Sequence, residues 1–530
     1  MNTVISPAVI DSVTNITGPQ YLLTDPASCA LYAQDVYTKA IPAGAVVQPG
    51  NLDELSQVIK TLVENGIVVI PRGGGMSYTS GYVPVAEGAV IIDGSRMDKV
   101  LEINEQDMYV TVEAGCTWKT LHEALEARNL RTPFWGTLSG IHATAGGGAS
   151  QNGMFWGSGQ FGPIGDSIIS MQVVIADGTI ISTGADAQKN GSPFFRHFGP
   201  DLTGIFIGDN GALGMKGTVT LRLMPLIKEK DYVSMEFSSG SDALEAMSEI
   251  SRQGLAMECF GFDPSLQEQR KKRESLLTDA KALAGFMKSA GSFKKALVGG
   301  AKIALAGRSY MDDLGFTIQV IIEESSEQSA NLKADKVRQI IKKFNGREIE
   351  STIPKVLRAN PFGPLNNSVG PSGERWVPVH GLFPHSKIVD AWKASEAVFE
   401  RHREKLTEYK VITGYLFATI ATNAFVLEPV FFWQDELKEL HEKTVVPSHF
   451  AKLTKYPENL EIRAYVDKVK SELVDLYSDL GSSHFQLGKS YHYAIGMKPE
   501  SFGLIQAIKS YLDPKNLLNP GALGFTPDNR

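Results

Sequence analysis

An apolar β-branched run, Ile67-Val68-Val69-Ile70, leads directly into the stretch "PRGGGMSYTSG" at residues 71–81. The run predicts a buried strand, and the three consecutive glycines predict a tight turn after it. Glycine lets the backbone adopt positive φ and lets N–H groups come close to a ligand, which is how many proteins hold phosphate oxygens. The stretch is therefore a candidate phosphate-binding loop, and the alternative is an ordinary glycine-rich loop.

The residues around this loop alternate between predicted strands and helices. Residues 51–66 have the apolar spacing of an amphipathic helix, with a cap at Asn51 or Asp53. A second helix is predicted from about Thr117 to Arg128. The alternation predicts one α+β unit over residues 1–225.

From residue 226 the chain changes to longer units in which a strand precedes an amphipathic helix. Such units predict a second sheet covered by helices, and hence a second domain. The tail has a helix broken at Asp513-Pro514 and a Pro/Gly turn after it. We therefore predict a second domain at 226–478 and a C-terminal return at 479–530.

Composition and charge exclude several classes of protein. The 530 residues are 43% hydrophobic and 21% charged, which is typical of a globular chain, and the net charge of -7 argues against nucleic acid as a partner. Cys29, Cys116 and Cys259 lie far apart, so neither a disulfide framework nor a cysteine-based zinc site is indicated. The sequence shows no secretory signal and no long uncharged run, so we expect a cytoplasmic protein.

One segment, residues 270–308, differs from the rest in charge. It carries ten Lys or Arg residues against Glu274 and Asp279. One interpretation is a basic amphipathic helix in peripheral contact with an anionic membrane. The other is a helix whose apolar face packs on the second domain while its lysines are solvated, and the glycines in the segment favour this one.

Two common phosphate-binding motifs are excluded by spacing. A Walker A loop has four residues between its first Gly and Gly-Lys, whereas "GSSHFQLGKS" at 481–490 has six. The stretch at 73–81 lacks the spacing of a Rossmann GxGxxG fingerprint. A nucleotide bound here must use a different loop.

Four stretches in order resemble the FAD-binding domain of the vanillyl-alcohol oxidase and p-cresol methylhydroxylase superfamily. They begin at "VVQPGNLDELSQ", "IIDGSRMDKVLE", "GIHATAGGGASQ" and "GPDLTGIFIGDN". The tail stretch "YLDPKNLLNPG" resembles the C-terminal return of the same FAD-linked oxidases. The resemblance implies an α+β fold in which a p-cresol-methylhydroxylase-type FAD domain of two subdomains is joined to a cap domain with an antiparallel sheet covered by helices.

The resemblance also implies a bound FAD. Residues 1–225 would form the FAD-binding domain, 226–478 the substrate or cap domain, and 479–530 the return that completes the FAD site. The implied pyrophosphate loop consists of Arg72, Gly73, Gly74, Gly75, Met76 and Ser77. The residues implied along the cofactor are Thr137, Gly140, Ala145, Gly146, Ala149 and Asn152, with Gly214 and Met215 on the adenine side and Asn519 near the flavin. Taken alone, "GGGAS" at 146–150 predicts a structural turn equally well.

The mode of FAD attachment follows from one position. In relatives whose flavin is tethered in the first loop, a histidine follows the last glycine, and here Met76 stands in that place. We therefore expect non-covalent FAD, and a tether from the second domain, through His385 or another nucleophile, is the alternative.

Flavin oxidation also needs a proton acceptor and a group that orients the substrate. His484 and Glu428 are the strongest catalytic candidates, and the others are His380, Arg375, Tyr491 and, more weakly, Lys489, His492 and Tyr493. His380 could equally be a hydrogen-bonded residue on a polar sheet surface, and the "PHS" at His385 reads as a helix cap. Glu428 lies among apolar residues, so a charged carboxylate there would need a cation or metal partner.

The resemblance leaves the substrate open between two branches. The D-2-hydroxyacid branch carries a histidine-rich metal site, but here "GYLFATIATNAF" at 414–425 has no histidine and Ser483-His484-Phe485 replaces Glu-His-Gly. A divalent metal held by His380, Glu428 and His484 is an alternative that uses other ligands. The 4-alkylphenol branch should have a Tyr-Arg pair near Ser482-Ser483 and an Asp near Leu138-Ser139, and neither is present.

The resulting hypothesis is an FAD-dependent dehydrogenase or oxidase that takes a hydride from the hydroxyl-bearing carbon of a small molecule. A D-2-hydroxy acid would be held by Arg375 or Lys489, with His484 as the base. The alternatives are oxidation of a para-substituted phenol or aromatic alcohol, and a non-catalytic flavin-binding protein. The electron acceptor, whether oxygen, quinone or a carrier protein, and a homodimeric state are left open.

Overall fold

The computed structural model describes residues 5–273 and 314–526. Its helices are α1 (Pro7–Thr17), α2 (Pro26–Tyr32), α3 (Leu52–Glu64), α4 (Trp118–Glu126), α5 (Ala145–Gln151), α6 (Ser158–Phe161), α7 (Leu202–Ile205), α8 (Gly240–Arg252), α9 (Pro264–Arg273), α10 (Glu327–Lys343), α11 (Thr352–Ala359), α12 (Ile388–Glu408), α13 (Glu439–Thr444), α14 (Pro447–Phe450), α15 (Leu460–Asp479), α16 (Tyr493–Gly496) and α17 (Pro499–Leu512).

The strands alternate with these helices along the chain. They are β1 (Leu22–Leu23), β2 (Ala45–Val47), β3 (Val69–Arg72), β4 (Val90–Asp93), β5 (Val100–Asn104), β6 (Tyr109–Glu113), β7 (Leu130–Arg131), β8 (Ile168–Val174), β9 (Ile180–Ser182), β10 (Met215–Arg222), β11 (Met224–Pro225), β12 (Glu229–Phe237), β13 (Glu258–Phe262), β14 (Phe316–Glu324), β15 (Arg347–Ile349), β16 (Arg375–Pro378), β17 (Gly381–Phe383), β18 (Ile412–Ile420) and β19 (Ala424–Trp433). The predicted α+β class is confirmed.

The chain forms two compact units. The first consists of residues 1–154, 163–225 and 484–530, and the second of 155–162 and 226–483. Residues 155–162, which the sequence analysis assigned to the first domain, thus belong to the second unit. Within that unit the carboxylate of Glu258 accepts hydrogen bonds from the N–H groups of Gly157 and Gly159 at the start of α6.

The first unit contains two larger sheets. One has the strand order β1-β2-β4-β3, with β2 and β3 parallel to β4, and the other is antiparallel with the order β5-β6-β10-β8-β9. Helix α3 covers the first sheet because Leu55, Val58, Ile59 and Leu62 recur on one face and are buried. Its predicted cap is confirmed, since the side chain of Asn51 accepts the Glu54 N–H at 2.9 Å.

The second unit contains one antiparallel sheet of eight strands. Its order is β15-β12-β14-β13-β18-β19-β16, and β17 also pairs with β19. Helices α8 and α10 pack on one face of it against β12 and β14, and α12 packs against β19 on the same side as Tyr415 and Phe431. This agrees with the predicted antiparallel sheet covered by helices.

Two sequence-based interpretations need comment. Residues 146–150, for which a turn was an open prediction, lie in helix α5, whose cap is Thr144. Most of the basic segment, residues 274–308, lies outside the described residues. Among the helices that the structure does describe, none combines the length and the apolar character needed to cross a bilayer.

Candidate functional site

The loop after β3 comes so close to the start of α5 that only glycine fits. A Cβ on Gly74 would lie 1.9 Å from the carbonyl oxygen of His142, and one on Gly73 would lie 2.7 Å from Oγ1 of Thr144. Real Cβ atoms do not make such contacts, so the missing side chains are what allow the two segments to pack. The first unit therefore brings together the two glycine-rich stretches that the sequence analysis singled out.

The backbone of this loop has donors without acceptors. Within the described residues, no acceptor receives a hydrogen bond from the N–H groups of Gly74, Gly75, Met76 or Ser77. Gly75 and Ser77 are buried, and buried backbone N–H groups are nearly always paired. Four successive unpaired donors are what an oxygen-rich anion such as a diphosphate needs.

Helix α5 contributes differently. The N–H groups of Ala145, Gly146 and Gly148 donate to the carbonyls of Cys116, Ala114 and Thr144, and that of Gly147 donates to the Thr144 side chain. These N–H groups already donate hydrogen bonds within the protein, so they are not free to bind a phosphate. A Cβ on Gly146 would lie 2.6 Å from that of Ala114, so the glycines of α5 serve close packing.

Arg72 supplies a positive charge beside the loop. Its guanidinium lies over the rings of Tyr32 and Tyr82, 4.6 and 5.4 Å from their centroids, and a Cβ on Gly75 would be 2.2 Å from its Nη2. Its Nε is buried and has no hydrogen-bond partner among the described residues. Burial raises the pKa of Tyr32 to about 12 and that of Tyr82 well above its usual value, so both rings stay neutral beside the cation.

The other predicted cofactor residues lie in the same unit, mostly in structural roles. The Gly140 N–H donates to the Thr137 carbonyl at 2.9 Å, and Oδ1 of Asn152 accepts the Gly165 N–H at 3.2 Å. Ala149 is buried, and its carbonyl accepts the Gly208 N–H. Met215 opens strand β10 and Gly214 precedes it, and a Cβ on Gly214 would lie 2.5 Å from Cγ1 of Val173.

The C-terminal return is fastened to the end of β3. The Val69 N–H donates to the Leu517 carbonyl and the Asn519 N–H to the Val69 carbonyl, each at 2.8 Å. Nδ2 of Asn519 donates to the carbonyls of Gly81 and Asn210 at 2.7 and 2.6 Å. Asn519 thus joins the predicted cofactor loop to the segment that contains Asn210.

A buried ion pair that sequence reasoning missed holds this return. Nζ of Lys509 lies 2.6 Å from Asp513 and donates to the carbonyls of Ala212 and Leu518 at 2.7 and 3.0 Å. Asp513 also accepts the Leu518 N–H at 2.7 Å. The only signal in the sequence is the (i, i+4) spacing of Lys and Asp, which occurs on many exposed helices.

His484 and Tyr491 lie together in the first unit. Their rings are nearly parallel, at 19°, with centroids 4.1 Å apart. The segment between them packs on the cofactor loop: the Lys489 N–H donates to the Thr79 carbonyl at 2.8 Å, and its Nζ donates to the Val83 carbonyl at 2.7 Å. Burial lowers the pKa of Lys489 to about 7, so this lysine is a poorer partner for a substrate carboxylate than its type alone suggests.

In the second unit, strand register brings His380 and Glu428 together. Pro378 lies opposite Val430 and Gly381 opposite Leu427, so His380 falls opposite Glu428. Directly opposed residues share a sheet face, with Cβ atoms about 5 Å apart. Because Tyr415 and Phe431 face helix α12, Glu428 points to the other face, as does Leu416 opposite it.

Glu428 has no ion-pair or hydrogen-bond partner among the described residues. Burial raises the pKa of its carboxyl to about 7, so a large fraction carries a proton at neutral pH. From the sequence we expect a charged carboxylate at this position to need a cation. A protonated Glu428 carries no charge and does not need one. In the described part of the chain, no group of three or more His, Cys, Asp or Glu side chains is arranged to hold a metal ion.

Arg375 and His385 lie apart from this pair. Arg375 is fully buried, lies opposite Trp433 with its guanidinium 5.4 Å from that ring, and by strand alternation faces away from His380. His385 opens a short 3-10 turn, with its Nε2 3.2 Å from the Thr422 carbonyl, and burial lowers the pKa of its imidazole. The structure does not bring either residue together with Glu428.

Family models match two parts of the chain. Residues 43–184 match the "FAD binding domain" and residues 492–523 match "FAD linked oxidases, C-terminal domain". The loop at 72–77 fits FAD, because its unpaired N–H donors, two of them on buried residues, and Arg72 suit a diphosphate. The expected cofactor is thereby confirmed.

Curated relatives match about half of their own length. The glycolate oxidase subunit GlcD of Bacillus subtilis is 27% identical over 248 residues, which cover 46% of this chain and 51% of that protein. The D-lactate dehydrogenase of Archaeoglobus fulgidus is 30% identical over 217 residues, which cover 40% of this chain and 46% of that protein. The chain thus spans about half the length of the curated relatives it matches.

Solved structures share the fold over nearly the whole chain. p-Cresol methylhydroxylase with substrate bound has a TM-score of 0.72 at 18% identity and covers 99% of this chain and 97% of its own. 4-Ethylphenol oxidase from Gulosibacter chungangensis has a TM-score of 0.71 at 17% identity and covers 100% of this chain and 99% of its own. The two domain matches show an FAD binding domain and a C-terminal segment of the FAD linked oxidases, and the solved structures show that the chain shares the fold of p-cresol methylhydroxylase and 4-ethylphenol oxidase.

Proposed function

We propose that the protein is an FAD-dependent oxidoreductase that takes a hydride from a hydroxyl-bearing carbon of a small organic substrate. The observation that carries this proposal is the row of unpaired N–H donors at residues 74–77 beside Arg72. When bound, FAD supplies a hydride acceptor, the flavin N5. In this proposal the first unit holds the cofactor.

The first unit would hold FAD without a covalent bond. The four amides and the guanidinium would take the diphosphate oxygens, and Met76 offers no nucleophile for a tether. Acid precipitation tests this, because a non-covalent flavin remains in the supernatant and a tethered one stays with the pellet.

The chemistry proposed for the second unit depends on the His380 and Glu428 pair. A protonated Glu428 donates a hydrogen bond to a substrate oxygen, and an apolar surrounding strengthens that bond. His484, in the first unit, is proposed as the base that takes the hydroxyl proton when the carbon gives up its hydride. Arg375 is withdrawn from this scheme because it faces away from His380.

The relatives support oxidation at a hydroxyl-bearing carbon. Glycolate oxidase and D-lactate dehydrogenase are named for 2-hydroxy acids, and they match 46% and 40% of this chain. A second candidate is a para-substituted phenol or aromatic alcohol. It is favoured by the apolar character of the sheet face around Glu428, which includes Leu416, Val426 and Val430.

The deciding experiment is anaerobic reduction of the purified, yellow protein. We expect its absorbance near 450 nm to bleach with D-lactate or D-mandelate. Bleaching with 4-hydroxybenzyl alcohol alone would favour the phenolic candidate. No bleaching with any of them would favour a non-catalytic flavin-binding protein. The acceptor is then found by reoxidation with oxygen, a quinone or a carrier protein.

His484 is tested separately. We expect His484→Ala to slow flavin reduction by about a hundredfold or more, as loss of a general base usually does. His197→Ala, at an exposed histidine of the same unit, is the matched control. Unchanged bleaching in a stopped-flow measurement would remove His484 from this role.

A further inference from the structure

Three side-chain amides meet beside Gly81 in the first unit. A Cβ on Gly81 would lie 2.6 Å from Nε2 of Gln151 and 3.1 Å from Oδ1 of Asn210. Asn519 donates to the carbonyls of Gly81 and Asn210. Gln151, Asn210 and Asn519 are called the amide cluster below.

The amide cluster has several buried polar atoms without partners. They are Oε1 of Gln151, both Oδ1 and Nδ2 of Asn210, and Oδ1 of Asn519, none of which has a hydrogen bond among the described residues. Asn210 is 4% exposed and Asn519 is 1% exposed. A buried polar atom left unpaired costs about 1–3 kcal/mol, so four of them in one place indicate a ligand.

The backbone that presents these amides is strained and firmly held. Asn210 and Asn519 have φ values of 51° and 42°, in the left-handed region. Asp209, next to Asn210, forms a fully buried ion pair with Lys216, and Lys509 ties the residue before Asn519 to Ala212. Strain maintained by buried charges is typical of binding sites.

The unpaired atoms restrict the ligand. Three of the four are oxygens, which require a ligand that donates hydrogen bonds, so a diphosphate is excluded. The donors of FAD are the ring N3–H and ribityl hydroxyls on its flavin half and the amino and ribose groups on its AMP half. The return that carries His484 passes the cluster, since the Gln486 N–H donates to the Gln151 carbonyl at 2.7 Å. If His484 acts on the reacting atoms, the flavin half is the part nearby.

We propose that the amide cluster binds the polar groups of the flavin half of FAD. This rests on the proposed function, because it requires FAD on the first unit. Asn210 is then a specificity residue for the cofactor; it lies in one of the four stretches that resemble the FAD-binding domain, in which the resemblance gives it no role.

The test uses Asn210→Gly in the full chain, titrated with FAD, FMN and ADP. The Asn210 side chain makes no hydrogen bond within the described fold and glycine tolerates positive φ, so a purely structural role predicts equal or better stability. We expect affinity for FAD and FMN to fall about tenfold, ADP affinity to stay the same, and the unfolding midpoint of the ligand-free protein to stay the same or rise.

The matched control is Asn129→Gly, at an exposed asparagine that also has positive φ (56°) and follows helix α4. Gln151→Ala, at the end of α5, is a second variant that should repeat the loss. Equal affinities in wild type and variant would overturn the proposal, and a loss for ADP alone would assign the cluster to the AMP half. A wild-type chain that binds ADP and FAD equally overturns the cluster assignment only, whereas one that binds no FAD overturns the proposed function as well.

Discussion

The two units build their candidate sites from different materials. The first uses backbone N–H groups and glycines from contiguous stretches, with Arg72 at the start of one of them. The second uses single side chains, His380 and Glu428, which lie 48 positions apart and meet only through strand register. A contiguous backbone site is visible in the sequence, whereas a site made by register is not, because nothing local fixes which residues become neighbours.

The largest predicted loss of stability comes from removing Lys509, the side chain that neutralises the buried carboxylate of Asp513 in the first unit. Lys509→Met leaves Asp513 buried and unpaired, and we expect a loss of about 4 kcal/mol in the free energy of unfolding and release of bound FAD. Urea denaturation and flavin fluorescence measure the two. Lys509→Met combined with Asp513→Asn should be less unstable than Lys509→Met alone, because no unpaired charge remains; a double variant as unstable as the single one would contradict this explanation.

The next effect tests the backbone character of the first site. In Gly74→Ala the new Cβ meets the His142 carbonyl oxygen at 1.9 Å, so the loop must move away from α5. We expect a cost of about 3 kcal/mol and FAD binding too weak to detect by fluorescence titration. Retention of full FAD affinity would show that this loop does not bind the diphosphate of FAD.

These two predictions differ in how far the sequence led to them. The glycine loop, the Asn51 cap and the FAD-type fold could be predicted, because spacing and residue type act locally. Lys509 could not, because its partners Ala212 and Leu518 are set by tertiary packing. The sequence also could not predict that Arg375 faces away from His380 and Glu428, because this depends on which face of the strand Arg375 occupies.

The second unit is tested through its buried carboxyl. The folded pKa of Glu428, about 7, is above its ordinary value of 4.5, so the folded state binds a proton more tightly than the unfolded state. The contribution of Glu428 to stability should therefore be complete below about pH 4.5 and be lost as the pH rises through about 7. Glu428→Gln removes this dependence.

We expect Glu428→Gln to be more stable than wild type by about 3 kcal/mol at pH 8 and no more stable at pH 4.5. Denaturation at the two pH values measures the difference. An equal gain in stability at both pH values would mean that the gain does not come from removing a buried group that ionises. A gain in stability that accompanies a loss of flavin reduction would fit a residue kept for function.

The smallest prediction asks whether glycine matters everywhere in the first unit or only where segments touch. Gly503 lies on the exposed side of α17, and a Cβ there would meet no atom within 4 Å. Because alanine favours a helix over glycine by about 1 kcal/mol, Gly503→Ala should raise the unfolding midpoint slightly and leave FAD affinity unchanged. A loss of FAD affinity in this variant would mean that helix α17 itself responds to the cofactor. In that case cofactor binding by the first unit would depend on a helix outside the glycine loops as well as on the backbone of those loops.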